Sequence, residues 1–315
     1  MRPKGREDPE VYVLNKSPSK TSGSSALRAK DDGESPDKGE RIAKLMARAG
    51  LCSRREAETW IGAGRVSVNG AILTSAALNI HPGDEVRIDG QPLPTAERSR
   101  LWLYHKPVGL VTTHKDEKDR PTVFSKLPRN LPRVVSVGRL DLNSEGLLLL
   151  TNDGALAREL ELPVRGWRRK YRVRVHGRVD PERLARLKHG VTVEGVSYGP
   201  IQASLDEGAG KANSWVTVTI TEGKNREVRR VMEHMGLTVN RLIRIAYGPF
   251  QLGQLEVGTV EEVPRHILRE QLGVKAEADE KENPRAGWAR AKKSPHPKHN
   301  HKPGRKRAVK PRKAQ

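Results

Sequence analysis

Two stretches of this chain alternate apolar and polar residues with a period of two, and that pattern limits the fold more than any other feature. In Lys170-Tyr171-Arg172-Val173-Arg174-Val175-His176, the apolar Tyr171, Val173 and Val175 fall on one side, with Arg172, Arg174 and His176 on the other. Val216, Val218 and Ile220 alternate in the same way with three threonines. Strands of this kind bury one face and leave the other polar, as mainly antiparallel sheets do. Helical periodicity is sparser, with one helix expected over residues 181–188 behind Asp180 as cap and Pro181 at its first position, so the predicted class is α+β, with helices on the covered face of the sheet.

Organisation follows from composition along the chain. Residues 1–38 are polar and without sustained periodicity, which predicts disorder apart from a short apolar exception at residues 11–14. A Pro-rich basic tail from about residue 273 reads the same way. Two ordered blocks lie between, residues 39–97 and 98–272.

In the first block, Ile42, Leu45, Met46 and Ala49 follow helical spacing up to Gly50. Ser53 and Glu56 have the spacing of a capping box for a second helix, whose apolar face is Ala57, Trp60 and Ile61. Val66 and Val68 then run into Asn69-Gly70, a two-residue hairpin turn, and Val86 and Ile88 form a further strand. Arg41, Lys44, Arg48, Arg54, Arg55 and Arg65 cluster on and around the helices, outnumbering Glu40, Glu56 and Glu58. Their apolar faces are taken by the core, so this charge suits phosphate contact better than it suits a merely solvated face. The string A-R-A-G-L-C-S-R-R-E-A, followed by G-R-V-S-V-N-G, resembles the S4 RNA-binding domain. That likeness implies that the helix pair and the following strand grip structured RNA.

Charge points the same way. The formal net charge of +21 and the pI near 10.3 favour a polyanionic partner and salt-sensitive association. Residues 284–315 hold twelve Lys/Arg and no Asp or Glu. The tail lacks an amphipathic apolar face, so nucleic acid fits it better than a membrane. Cys52 is the single cysteine, which excludes an intrachain disulfide and a cysteine-based zinc site. His296, His299 and His301 are too isolated to argue for a metal. No apolar run approaches a spanning helix and no signal-peptide core is present, so a soluble, cytoplasmic protein is expected.

Three places in the second block bear on chemistry. Asp141 lies in the polar loop of Val137-Gly138-Arg139-Leu140-Asp141-Leu142-Asn143-Ser144-Glu145-Gly146, between two apolar runs that read as strands. A loop carboxylate held between strands is both fixed and open to a ligand. Tyr171 sits on the apolar side of its strand. Residues 222–230, Glu-Gly-Lys-Asn-Arg-Glu-Val-Arg-Arg, read as a turn opening a helix over about residues 225–235. Lys224, Arg226, Arg229 and Arg230 oppose the helix dipole there, so a carboxylate or phosphates must compensate them. The spacing is not that of a P-loop.

Together G-R-L-D-x-N-S-E-G-L-L-L-L-T-N-D-G, K-Y-R-V-R-V and T-E-G-K-N-R-E-V-R-R-V resemble the pseudouridine synthases of ribosomal RNA, over about residues 39–272. The resemblance implies an S4-like domain followed by a mainly antiparallel mixed-sheet catalytic domain. The implied reaction breaks the N1–C1′ bond of a uridine, turns the base and rejoins it through C5. It has no redox change, so no cofactor or metal is expected. Asp141 is implied as the nucleophile or as the base at C2′, with Arg229 as its ion-pair partner and Lys224 as runner-up. Tyr171 would stack on a uracil flipped out of the RNA, and Arg139 would hold phosphates or fill the vacated space. Arg120-Pro121-Thr122-Val123-Phe124 and the basic tail lean toward 23S rRNA of the large subunit, as a hairpin loop or within an assembling particle, acted on by a monomer. The alternatives are a 16S rRNA target or a non-catalytic ribosome-assembly factor.

Overall fold

The computed structural model describes residues 39–206 and 213–272. The expected disorder at both ends, the exception at residues 11–14 and the tail histidines all lie outside the described residues. The chain divides into two compact units: one holds residues up to Arg98 together with Pro132–Val134, the other Ser99–Leu131 and the chain from Val135 onward.

The first unit contains the helices Ile42–Arg48 and Arg54–Gly62. Glu56 N donates to Ser53 Oγ at 3.1 Å and Ser53 N donates to Glu56 Oε2 at 2.6 Å, so the capping box forms. A cap of this kind stabilises a helix by ~1 kcal/mol. Ile42, Met46, Ala57 and Ile61 are buried against Val66, Val68, Val86 and Ile88 of a small antiparallel sheet. Asn69 and Gly70 turn that sheet's hairpin with φ of 50° and 82°, the left-handed pair that Asn-Gly favours.

The second unit is built on a nine-stranded sheet among the described residues. Its main path runs through strands 202–205, Asn213–Ile220, Arg169–His176, Thr238–Tyr247, Glu145–Thr151, Leu101–Lys106 and Val260–Glu262. The alternating residues behave as expected. Tyr171, Val173 and Val175 are buried while Lys170, Arg172, Arg174 and His176 are exposed. Leu147, Leu148, Leu149 and Leu150 are all fully buried. Their strand shows no alternation because it is covered on both faces. Leu147 and Leu149 share a core with Leu156 and Leu160 of the helix Gly154–Glu161.

Antiparallel pairing prevails, with a parallel junction between Thr238–Tyr247 and Glu145–Thr151, where Ile243 faces Glu145 and Arg244 faces Gly146. Gly146 has φ of +103°, and a Cβ there would clash with the Arg244 carbonyl oxygen. The two backbones approach this closely because residue 146 has no side chain.

Two helices differ from the sequence reading. The helix expected from about residue 225 begins at Glu227, because Arg226 adopts a left-handed conformation with φ of 52°. The helix expected over residues 181–188 is α only over Pro181–Arg186 and tightens to 3₁₀ at Leu187–His189. That last turn frees the Leu187 carbonyl to accept from Gly190 N and Ile201 N, both at 3.0 Å. No helix among the described residues is long and apolar enough to cross a membrane.

Gly146→Ala is expected to destabilise the second unit by roughly 2–4 kcal/mol, combining a left-handed strain with a backbone clash. Urea unfolding followed by tryptophan fluorescence checks this; a loss under ~0.5 kcal/mol would contradict the close approach.

Candidate active site

The loop carrying Asp141 lies between strand Val135–Val137 and strand Glu145–Thr151 and opens onto a cleft of about 520 Å³. That volume suits a small-molecule-sized guest, for which sites run roughly 300–1,000 Å³. The loop is held along its length. Gly138 N donates to Glu161 Oε1 at 2.6 Å, Thr112 Oγ1 donates to Leu140 O at 2.9 Å, and Gly109 N donates to Leu142 O at 2.8 Å. Ser144 N donates to Asp141 O at 3.0 Å, which closes the turn. The Asp141 carboxylate stays partly open, with its side chain 38% exposed.

A residue the sequence reading missed sits behind this loop. Lys106 is fully buried, and its Nζ donates to the carbonyls of Pro107 at 3.0 Å, Asp141 at 3.1 Å and Ser144 at 2.8 Å. All three ammonium protons are therefore committed to backbone oxygens, two of them in the loop. Burial pulls the Lys106 pKa down to about 8, against the opposing pull of Asp141 and Glu145. One signal for it was present: Trp102, Tyr104 and Lys106 share the buried side of one strand, so a charge continues an apolar face. Arg244 gives the same signal, buried between Leu242 and Ala246 with Nε donating to Leu147 O at 2.7 Å.

Tyr171, Ile220, Leu242 and residues 223–229, a turn running into a helix, also line the cleft. Tyr171 is 8% exposed and lines the cleft that Asp141 enters. The turn differs from the expectation. Glu227 Oε2 accepts from Lys224 N at 3.0 Å, and this acid shares the first helical turn with two of the four expected cations. Arg229 and Arg230 lie within the helix; Lys224 and Arg226 precede it.

The ion pairs also differ. Asp141 Oδ2 is paired with Arg226 Nη1 at 4.0 Å, an exposed and loose contact. Lys224, the expected runner-up, is drawn away: its Nζ lies 2.8 Å from Glu222 Oε2, donates to Ser197 O at 2.6 Å and sits over the Tyr198 ring. Arg229, the expected partner, donates through Nη2 to Asn143 O at 2.7 Å and through Nη1 to Val239 O at 3.4 Å. It thus braces the loop backbone two residues past Asp141, near enough for the carboxylate to favour its charge. Burial and the neighbouring Arg226 both act to lower the Arg229 pKa. Arg139 is exposed at the cleft rim, whereas Arg230 is half-buried and does not line the cleft.

The six cations of the first unit expected to meet RNA divide evenly. Arg41 donates to Ala77 O, Lys44 pairs with Glu40 at 2.9 Å, and Arg65 pairs with Asp89 at 2.5 Å while covering the Trp60 ring. Arg48, Arg54 and Arg55 are exposed, with no ion pair among the described residues.

Comparison with known proteins matches residues 100–234 to the RNA pseudouridylate synthase family and residues 40–86 to the S4 domain. An uncharacterised RNA pseudouridine synthase of Rickettsia prowazekii is 46% identical over 233 residues, which span 74% of this chain and 97% of that protein. The chain belongs to the RNA pseudouridine synthases. A protein of Haemophilus influenzae named ribosomal large subunit pseudouridine synthase B is 46% identical over 255 residues, covering 77% of this chain and 71% of its own length. A solved structure described as a pseudouridylate synthase superposes with a TM-score of 0.52 at 27% identity, over 74% of this chain and 99% of that one. An S4 domain followed by a synthase domain of mixed sheet and helices is thus the architecture of this RNA pseudouridine synthase.

Lys106 titrates with a definite sign. Its ordinary pKa of 10.5 falls to about 8 on folding, so the unfolded chain binds the proton more readily between those values. Its contribution to stability is present above about pH 10.5 and is lost as pH falls through about 8. At neutral pH the clamp is charged at a cost to the fold. Lys106→Met should therefore remove part of the rise in unfolding free energy between pH 8 and 10.5, read by urea titrations at each pH. It should also slow single-turnover catalysis at least ~10-fold by removing the buried donor that ties Asp141 O and Ser144 O together.

Proposed function

We propose that this synthase isomerises a particular uridine of 23S rRNA in the large ribosomal subunit, with Asp141 as the catalytic carboxylate. The observation that carries the reading is the convergence of Asp141 and Tyr171 on one cleft in a chain 46% identical to the large-subunit synthase of Haemophilus influenzae. A related protein of Pasteurella multocida bears the same name at 44% identity.

The residues divide the work by position. Asp141 either attacks C1′ or takes the C2′ proton, and both roles need it ionised. Arg226 and Arg229 supply positive charge near it, and because neither holds it in a tight pair, its oxygens remain free for the sugar. Tyr171 stacks on the flipped uracil, where its buried ring offers one face to the cleft. Flipping costs a few kcal/mol of stacking, offset by binding of the nucleotide. Arg139 at the rim and Arg226 are placed to take phosphates beside the flipped nucleotide. Arg48, Arg54 and Arg55 then hold the adjoining stem of a hairpin, since RNA helices are gripped by shape and phosphate contact. The enzyme acts as a cytoplasmic monomer.

Asp141→Asn is expected to lower pseudouridine formation at least ~10³-fold while RNA affinity stays within about threefold. Tritium release from C5-labelled rRNA measures the first and filter binding the second; undiminished release sinks the assignment. The cations should rank differently. Arg226→Ala should cost under tenfold, as a loose exposed pair is worth less than about 1 kcal/mol. Arg229→Ala should cost more than a hundredfold, because it removes a buried charge that braces the loop. Equal losses would contradict the separate roles.

A further inference from the structure

Three side-chain atoms among the described residues are buried with no hydrogen-bond partner: Glu227 Oε1, Arg229 Nε and Arg244 Nη2. All three residues line the cleft that holds Asp141 and Tyr171. Buried polar atoms are ordinarily satisfied, so three unmet ones around one cleft point to a ligand with matching groups. Each side chain is also fixed by its other atoms. Glu227 Oε2 accepts from Lys224 N at 3.0 Å, Arg229 donates to Asn143 O at 2.7 Å, and Arg244 Nε donates to Leu147 O at 2.7 Å. Glu227 itself is 3% exposed.

What remains unmet is one acceptor and two donors. The imide edge of uracil presents the complement, an N3–H donor between the O2 and O4 acceptors. We propose that Glu227 is the specificity-determining residue for the target base, with Oε1 accepting from uracil N3–H while Arg229 Nε and Arg244 Nη2 donate to O2 and O4. This inference rests on the uridine-isomerising reading given above.

The chemistry of the reaction makes this set fit twice. Isomerisation exchanges N1 with C5, a half-turn about the axis through N3 and C6. N3 stays on the axis and O2 and O4 trade places. One acceptor on the axis and a donor for each oxygen therefore hold the base equally well before and after the turn. No proton is exchanged with Glu227, and no bond is made to it. Cytosine offers a lone pair at N3 and an amine in place of O4, so an ionised Glu227 and an arginine N–H both disfavour it. Burial raises the Glu227 pKa to about 7, and a seated N–H donor favours the ionised form.

The bland alternative is that Glu227 only ties the Lys224 turn to the helix. A substrate with a methyl group at N3 separates the two. The probe is a synthetic RNA carrying the target site, located by mapping pseudouridines in rRNA with and without the protein, and made with uridine or 3-methyluridine at that position. Wild type should convert the methylated substrate at least about a hundredfold less efficiently in single turnover, with product read by mass spectrometry. Glu227→Ala removes both the acceptor and the bulk, so it should narrow that ratio at least tenfold. An unchanged ratio in a folded Glu227→Ala protein overturns the proposal, whatever its absolute rate. Should Glu227→Ala fail to fold, the isosteric Glu227→Gln decides. Its amide oxygen is needed by Lys224 N, which turns the NH₂ toward the base, so conversion of the uridine substrate should fall at least tenfold, and unchanged conversion overturns the proposal. If wild type makes no pseudouridine in any rRNA, the isomerase reading itself has failed, a distinct result.

Discussion

The Lys106 ammonium, fully buried and bonded to three backbone carbonyls, is the contact on which the candidate site depends. It replaces water for the Ser144 oxygen and gives the Asp141 oxygen a second donor beside Ser144 N. A loop tied by its main chain from behind can aim a side chain forward without spending that side chain on its own support. Asp141 is accordingly free at its carboxylate while fixed at its backbone. Arg229 does the same for Asn143 from the other side of the loop. The scaffold therefore contributes two cations to hold one anion-bearing turn, and neither grips the anion directly. Such an arrangement sets positive charge beside a carboxylate without locking it in a tight salt bridge that a reaction would have to break.

How legible was this in the sequence? The alternating strands at Tyr171–Val175 and Val216–Ile220, the Ser53–Glu56 cap and the Asn69-Gly70 turn were readable because each depends on local spacing alone. The Asp141 loop and Tyr171 were readable because the motifs that hold them are contiguous. The wiring of the cations was not. The family resemblance implied Arg229, with Lys224 as runner-up, for Asp141, but a left-handed residue at Arg226 and the Glu227–Lys224 bond turn the segment so that Arg226 faces the carboxylate. Lys224 is captured by Glu222, a choice set by tertiary geometry. Lys106 and Arg244 were visible in principle as charges on the apolar side of strands. Recognising them requires treating a break in pattern as information, since functional sites are where local rules are expected to fail.

The electrostatics of the two units differ in kind. In the first, half of the basic residues ascribed to RNA binding are already engaged, by Ala77 O, Glu40 and Asp89, which leaves Arg48, Arg54 and Arg55. The formal charge thus overstates the number of cations ready to meet phosphates. In the second unit, Arg169 and Arg244 flank the Tyr247 ring at 4.9 and 5.2 Å, and Arg169 Nη2 donates to the Tyr247 hydroxyl at 3.1 Å. Charge there is built into the wall, where it orders the cleft before any RNA arrives.

The close approach of Gly146 to Arg244 also has a consequence for how the molecule comes into being. The strand that follows the Asp141 loop finds its parallel neighbour almost a hundred residues later, at Ile243 and Arg244. The core of the first unit, from Ile42 to Ile88, is built without so distant a partner. On an emerging chain, the RNA-gripping unit can therefore be finished while the cleft still lacks one wall. Binding competence precedes chemical competence during synthesis, and the carboxylate acquires its surroundings only once Thr238–Tyr247 has been made and pairs with Glu145–Thr151.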